Sequence, residues 1–226
     1  HPCVLEPIKK LESDGYRVTY LSLDENGFPD EGELSECICD DTALVVMMHV
    51  NNEVGAVTNL EKMGKLIKRK NPQTLFFADC VQSFCKIPVS AAWCDFISMS
   101  GHKIHGPKGV GALYVKKGVR LHPRVFGGGQ EKNLRPGTEN VPGLAGLGCA
   151  VSKNPGFEDK GVKKYMADRI LSGIPNTFIN NTDFENSADY ILNVSFPGAR
   201  SEVILHFLES KGIFVSSGSA CSSNKP

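Results

Sequence analysis

Apolar residues along this chain recur with two alternating periods. Val4, Ile8 and Leu11 fall on one helical face, Gly15 ends that helix, and residues 17–21 read as a strand. Residues 42–48 form a near-continuous apolar run, as expected of a strand buried on both faces. Leu60, Met63 and Ile67 then mark an amphipathic helix, followed by the short run Leu75-Phe76-Phe77-Ala78. Residues 95–99 and 111–115 read as two further strands. This rhythm of strand, helix and strand predicts an α/β domain with a mainly parallel sheet flanked by helices.

Near Pro142 the pattern changes. Residues 143–151 form a small-residue helix with Leu144, Leu147 and Val151 on one face, and the proline sits where a first helical turn tolerates it. After Asn154-Pro155-Gly156 a charged helix is expected over 160–171, then a strand over 190–196. A helix with Val203, Ile204, Phe207 and Leu208 facing inward and a strand over 213–215 complete the pattern. The expected division is a large domain over 1–142, incomplete at its N-terminus, and a linker helix with part of a smaller α/β domain over 143–226. No internal repeat interrupts this reading.

Composition narrows the class. With 226 residues the chain can bury a substantial core, and 25 Lys+Arg against 25 Asp+Glu leaves no global field for nucleic acid or membrane. No apolar run reaches the ~18 residues of a membrane-spanning helix. The chain opens on His1-Pro2-Cys3 without a methionine, which suggests a fragment or a processed product. Its eight cysteines lie mostly in apolar segments, so reduced thiols and a cytoplasmic location are expected. Cys37-Ile38-Cys39 lacks zinc-site spacing and a second pair, so no metal is expected.

Ligands of open parallel sheets sit at the carboxyl ends of the strands. Asn51-Asn52-Glu53, Asp79 with Gln82, and Ser100 with His102 and Lys103 all follow predicted strands. Each alone reads as a cap or turn residue, but on successive strands they describe a cofactor site. A buried Asp79 carboxylate calls for a cation, and a protonated pyridine nitrogen would serve. Lys103 would hold a cofactor aldehyde as an imine and act as a base, with Ser100 and His102 donating to a phosphate. Far downstream, Ser216-Ser217-Gly218-Ser219-Ala220-Cys221-Ser222-Ser223 sets a cysteine on a small polar segment. A carbonyl cofactor working with a sulfur nucleophile is the chemistry this combination suggests.

Several motifs occur in one order. They are His49-Val50-Asn51-Asn52-Glu53-Val54-Gly55, Ala78-Asp79-Cys80-Val81-Gln82-Ser83, and the run from Ser100 to Gly109. Gly127-Gly128-Gly129-Gln130-Glu131, Arg135-Pro136-Gly137-Thr138-Glu139-Asn140 and the Cys221 segment follow. Together they resemble the cysteine desulfurase and selenocysteine lyase family, in its NifS/IscS-like branch. That family depends on pyridoxal 5'-phosphate and has the fold-type-I aminotransferase architecture.

The resemblance implies a role for each matching residue. Lys103 carries the cofactor, Asp79 pairs with its pyridine nitrogen, and Asn52 and Gln82 lie near its ring oxygen. Ser100 and His102 hold the phosphate, and Thr138 reaches the phosphate of a neighbouring subunit in a homodimer. His1 falls where the family has the histidine that stacks on the ring, and Cys221 accepts the sulfur. The activity implied is removal of sulfur from L-cysteine, giving L-alanine and a persulfide on Cys221. That sulfur would pass to an acceptor protein, an iron–sulfur scaffold or a tRNA-thiolation protein, with no direct nucleic-acid or membrane partner. Selenocysteine lyase and a catalytically silent truncated domain are the alternatives. Family members extend beyond both ends of this chain, to a backbone phosphate contact upstream and a carboxylate-binding arginine downstream. Arg135-Pro136-Gly137-Thr138 also departs from the commoner serine-containing version, and Cys80 and Cys85 read as packing thiols.

Overall fold

The computed structural model describes residues 1–158, 161–180 and 183–218. In chain order its elements begin with α1 (Pro2–Ser13), α2 (Glu31–Cys37), β1 (Leu44–Met48), α3 (Leu60–Lys70), β2 (Leu75–Asp79) and β3 (Phe96–Ser100). They continue with β4 (Gly111–Val115), α4 (Val141–Lys153), α5 (Val162–Gly173), β5 (Phe178–Ile179), β6 (Val194–Ser195) and α6 (Ser201–Glu209). Two compact units emerge. One holds residues 38–49 and 59–157, and the other holds 1–37, 50–58 and the chain from 158 onward. Helix α4 spans the 142/143 boundary and lies wholly in the first of these.

The first unit is built on a four-stranded sheet in the order β1-β2-β3-β4. The three apolar runs pair in parallel, with Met48, Asp79 and Ser98 in register at one edge. Strand β4 runs antiparallel to β3, because the ten residues between them form a loop rather than a helical crossover. Phe76 and Ala78 of β2 are fully buried. The link from β1 to β2 is α3, capped by the Asn59 side chain, which accepts from the Lys62 N–H at 3.0 Å. Leu60, Met63 and Ile67 are its buried face, as the 3.6-residue period predicted. Gly64 lets this helix close on the Trp93 carbonyl, a place where any Cβ would collide. At the entry to β3 the buried Asp95 accepts from the Phe76 N–H at 2.9 Å and pairs with Lys68 at 2.7 Å and Lys116 at 3.3 Å.

The second unit departs from expectation more often. Residues 17–21 form no strand, and the nearby pairing is one isolated bridge between Leu23 and Pro29. The Ser22 N–H goes instead to the Glu33 carboxylate at 2.6 Å, which ties this stretch to α2. The expected 190–196 strand contracts to β6, paired antiparallel with β5, and 213–215 is not a strand. A pattern of side chains shows that a segment suits a strand; only a neighbouring ladder makes it one. Helix α6 forms as predicted, but Val203 and Phe207 are each 62% exposed rather than inward-facing. Periodicity marks an apolar face without supplying the layer that covers it.

Candidate active site

Strands β2 and β3 end side by side, and the chemistry-bearing residues of the sheet unit gather at that edge. Asp79, the last residue of β2, is 3% exposed. Its Oδ1 accepts from the Val81 N–H at 3.0 Å and from the Ser98 hydroxyl at 3.3 Å. Past Ser100, which ends β3, the chain enters one tight turn of helix over Gly101–Ile104 that carries His102 and Lys103. Four features pin this turn. The Gly101 N–H donates to the Val110 carbonyl and the Gly106 N–H to the Gly101 carbonyl, each at 2.9 Å. Ile104 is buried at its base, and His105 leaves it in the left-handed conformation, with φ of 64°. A Cβ at Gly101 would lie 3.1 Å from both the Pro107 carbonyl and Val110, so any larger residue would force its neighbours to give by a few tenths of an ångström. Lys103 is half-buried on this turn, and Ser100 Oγ lies 3.2 Å from His102 Nδ1.

A buried polar cluster lies behind Asp79. The His49 N–H donates to the Asp79 carbonyl at 2.9 Å, extending the β1–β2 ladder by one bond. Its ring Nδ1 is 2.9 Å from the hydroxyl of Ser83, and Ser83 is fully buried. Burial lowers the His49 pKa to about 4, so the ring is neutral across physiological pH. Ser83 Oγ also reaches the Cys80 carbonyl at 3.3 Å. These contacts bracket the turn that bears Asp79 and Gln82. Burial pushes the Cys80 thiol up to about 11 and the Cys94 thiol up to about 12, which makes both packing groups rather than nucleophiles. The Lys86 ammonium is lowered by burial first and by the charge of Lys103 second. Two lysines therefore share the field at this edge.

Asp79, Gln82, Ser100, His102 and Lys103 thus fall at neighbouring strand ends of one unit, as the sequence predicted. Thr138 belongs to the same unit and is exposed in the loop before α4. Asn52 and His1 belong to the other unit. Asn52 sits in a turn organised by Asn51, whose Oδ1 accepts from the N–H groups of Glu53 at 2.8 Å and Val54 at 2.9 Å. His1 is the N-cap of α1, its Nδ1 accepting from the Cys3 N–H at 3.2 Å. Cys221 lies outside the described residues. Sequence reasoning gave His49, Ser83 and Lys86 no role, because the contacts that define them cross space rather than sequence. Among the described residues, no group of His, Cys, Asp and Glu could hold a metal ion, and no helix is long and apolar enough to cross a membrane.

The family profile described as aminotransferase class-V matches residues 1–226. A cysteine desulfurase of Nostoc sp. is 42% identical over 231 residues, covering 99% of this chain and 57% of that protein. A solved structure of a NifS-like protein superposes with a TM-score of 0.86 at 38% identity, over 96% of this chain and 60% of that one. A second, SspA in complex with cysteine, superposes with a TM-score of 0.82 at 34% identity, over 99% and 63%. The chain therefore spans about three-fifths of the length of these relatives.

Proposed function

The chain belongs to the aminotransferase class-V family, and from that premise we propose that it acts as a pyridoxal phosphate-dependent cysteine desulfurase. The observation that carries this reading is that the buried Asp79 ends β2 and Lys103 lies on the turn that follows β3, at adjoining strand ends. That donor set fits the cofactor: a carboxylate for a protonated ring nitrogen, an amine for an aldehyde, and the Ser100 hydroxyl and His102 imidazole for a phosphate. Pyridoxal phosphate, when bound, supplies an electron-accepting ring that stabilises negative charge at the substrate α-carbon.

The remaining work falls to side chains. Asp79 would hold the ring nitrogen protonated, and Gln82 and Asn52 would be the groups for the ring oxygen. Lys103 Nζ would hold the cofactor's aldehyde and would serve as the base for the α-proton of L-cysteine. His1 would supply an aromatic face for the ring. The Cys221 thiolate attacks the substrate sulfur, so an S–S bond forms as the C–S bond breaks, and alanine leaves while the sulfur stays on Cys221 as a persulfide. In this reading residues 1–142 carry most of the cofactor contacts, and 143–226 carry the cysteine segment. The enzyme works in the cytoplasm as a homodimer in which Thr138 contacts the neighbouring phosphate. Its persulfide passes to an acceptor protein for iron–sulfur or thio-cofactor supply.

Mass spectrometry after treatment with L-cysteine and pyridoxal phosphate tests the proposal directly. The expected result is a gain of one sulfur on Cys221, with the cofactor's visible band lost in Lys103→Ala. An unmodified Cys221 in protein that retains that band would overturn the desulfurase assignment. Release of selenide from L-selenocysteine without sulfide from L-cysteine would overturn it in favour of a lyase.

A further inference from the structure

Lys163 lies in the first turn of α5, yet it is only 5% exposed. Lysine is almost never buried unless its ammonium is engaged. Here Nζ donates to the Ser187 hydroxyl at 2.5 Å and to the Ala188 carbonyl at 2.9 Å, and sits 5.1 Å from the centre of the Phe184 ring. One ammonium therefore grips three residues of a segment that lacks a helix or strand of its own.

That segment in turn grips the Asn52 turn, within the same unit. The Ala188 N–H donates to the Gly55 carbonyl at 2.8 Å, and the Val57 N–H donates to the Asn186 carbonyl at 2.9 Å. Ala56 and Ser187 form an antiparallel bridge between those two bonds. The Asn193 side chain donates to the Glu53 carbonyl at 3.2 Å. Gly55 has φ of 78°, and a Cβ there would lie 3.1 Å from Ile191, so the turn is pressed against the segment. It closes through the Gly55 N–H to the Asn51 carbonyl at 3.1 Å. Asn52 lies inside that closure.

We propose that Lys163 is a positioning residue for Asn52, locking the 184–188 segment so that Gly55, Ala56 and Val57 hold the turn in one conformation. The inference rests on the cofactor role given to Asn52 above. Its physical basis is the replacement energy of the bonds: removing the ammonium strands a buried carbonyl and a buried hydroxyl, and the segment must open to let water reach them.

Lys163→Met keeps the stem and deletes the donor. In that variant, amide exchange at Gly55, Val57 and Ala188 is expected to quicken about 10-fold, and the dissociation constant for pyridoxal phosphate to rise about 10-fold. The visible band should shift in the same direction as in Asn52→Ala, and the double variant should shift it no further, as expected when one residue acts through another. Unchanged exchange at Gly55 and Val57, or additive shifts in the double variant, would overturn the proposal. Should Lys163→Met fail to fold, Ser187→Ala removes one of the same bonds, and the same three readouts apply with smaller amplitude. Wild-type protein that shows no band with pyridoxal phosphate would sink the cofactor reading instead, and exchange would still decide whether Lys163 holds the turn.

Discussion

Asp79 and Asp95 are two carboxylates of one sheet, 3% and 2% exposed, and they are satisfied in different ways. Asp95 enters β3 between Lys68 and Lys116 and accepts the Phe76 N–H, so the protein's own cations surround it. Asp79 leaves β2 at the opposite end, held through Oδ1 by the neutral Val81 N–H and the Ser98 hydroxyl. Both bonds fix where the carboxylate points. A carboxylate paired by two lysines, as Asp95 is, is fastened into the scaffold by the protein's own cations. The lysine-paired carboxylate thus lies at a strand entrance, and the candidate site residues lie at the strand exits, where open parallel sheets hold their ligands.

Exchanging each carboxylate for its neutral isostere breaks the comparison most sharply. Asp79→Asn retains an acceptor for Val81 and Ser98 but removes the charge, so activity on L-cysteine should fall ~100-fold, equivalent to about 2.7 kcal/mol of lost stabilisation. Urea unfolding of the same variant should shift by less than about 1 kcal/mol. A variant that unfolds readily but keeps its turnover would reverse the roles assigned to the two ends.

Asp95→Asn should do the opposite and cost about 2 kcal/mol of stability at pH 7 while the cofactor band stays at its wild-type wavelength. Burial alone would raise the Asp95 pKa, but Lys68, the Phe76 N–H and Lys116 outweigh it and hold the carboxyl below the usual range. A depressed folded pKa contributes stability that is present above the unfolded value of about 3.9 and is lost as pH falls through the folded value. The wild-type advantage over Asp95→Asn should therefore hold at pH 7 and shrink below about pH 4. Equal stabilities at pH 7 would mean that the Lys68 and Lys116 pairs contribute nothing there.

Much of this sheet was legible from the chain. The run 75–78 is apolar at every position although only Phe76 and Ala78 are fully buried and Leu75 and Phe77 are half-buried, and α3 shows its buried stripe at Leu60, Met63 and Ile67. The placement of Asp79, Ser100, His102 and Lys103 at strand exits was legible because the few residues that follow a strand in sequence also follow it in space. What escaped depends on partners far away in sequence. The His49–Ser83 contact spans 34 residues, and the Lys163–Ser187 contact spans 24. Neither spacing carries a periodic signal. Lys163 reads as one of several surface lysines on a charged helix, and only the segment folded over it makes it internal. The failed strands at 17–21 and 213–215 and the exposed face of α6 have the same origin: a pattern states what a segment could pair with, not what it meets.

His49 tests another way of hiding a titratable group in the same sheet, held neutral rather than paired with lysines like Asp95. Its ring is 4% exposed, bonded to Ser83, with the Cys80 Sγ at 3.9 Å from Nδ1 as a further titratable contact. That thiol stays protonated and neutral at physiological pH, since burial pushes it up to about 11. With its folded pKa near 4, against about 6.5 for an unfolded histidine, the unfolded chain takes up a proton in a range where the folded one does not. Stability must therefore fall as pH drops from about 6.5 towards 4, the reverse of a histidine that gains an acidic partner. Between pH 8 and pH 6 this single group should cost less than about 1 kcal/mol, the smallest of the expected effects. Urea unfolding of wild type and His49→Gln at both pH values isolates it, because glutamine can still reach Ser83 but cannot titrate. The wild type should lose more stability than the variant on going to pH 6, and the His49 ring resonances should stay flat from pH 8 to pH 5. A titration of those resonances centred near 6.5 would mean that water reaches the ring, and the cluster behind Asp79 would then be an open edge rather than a closed support.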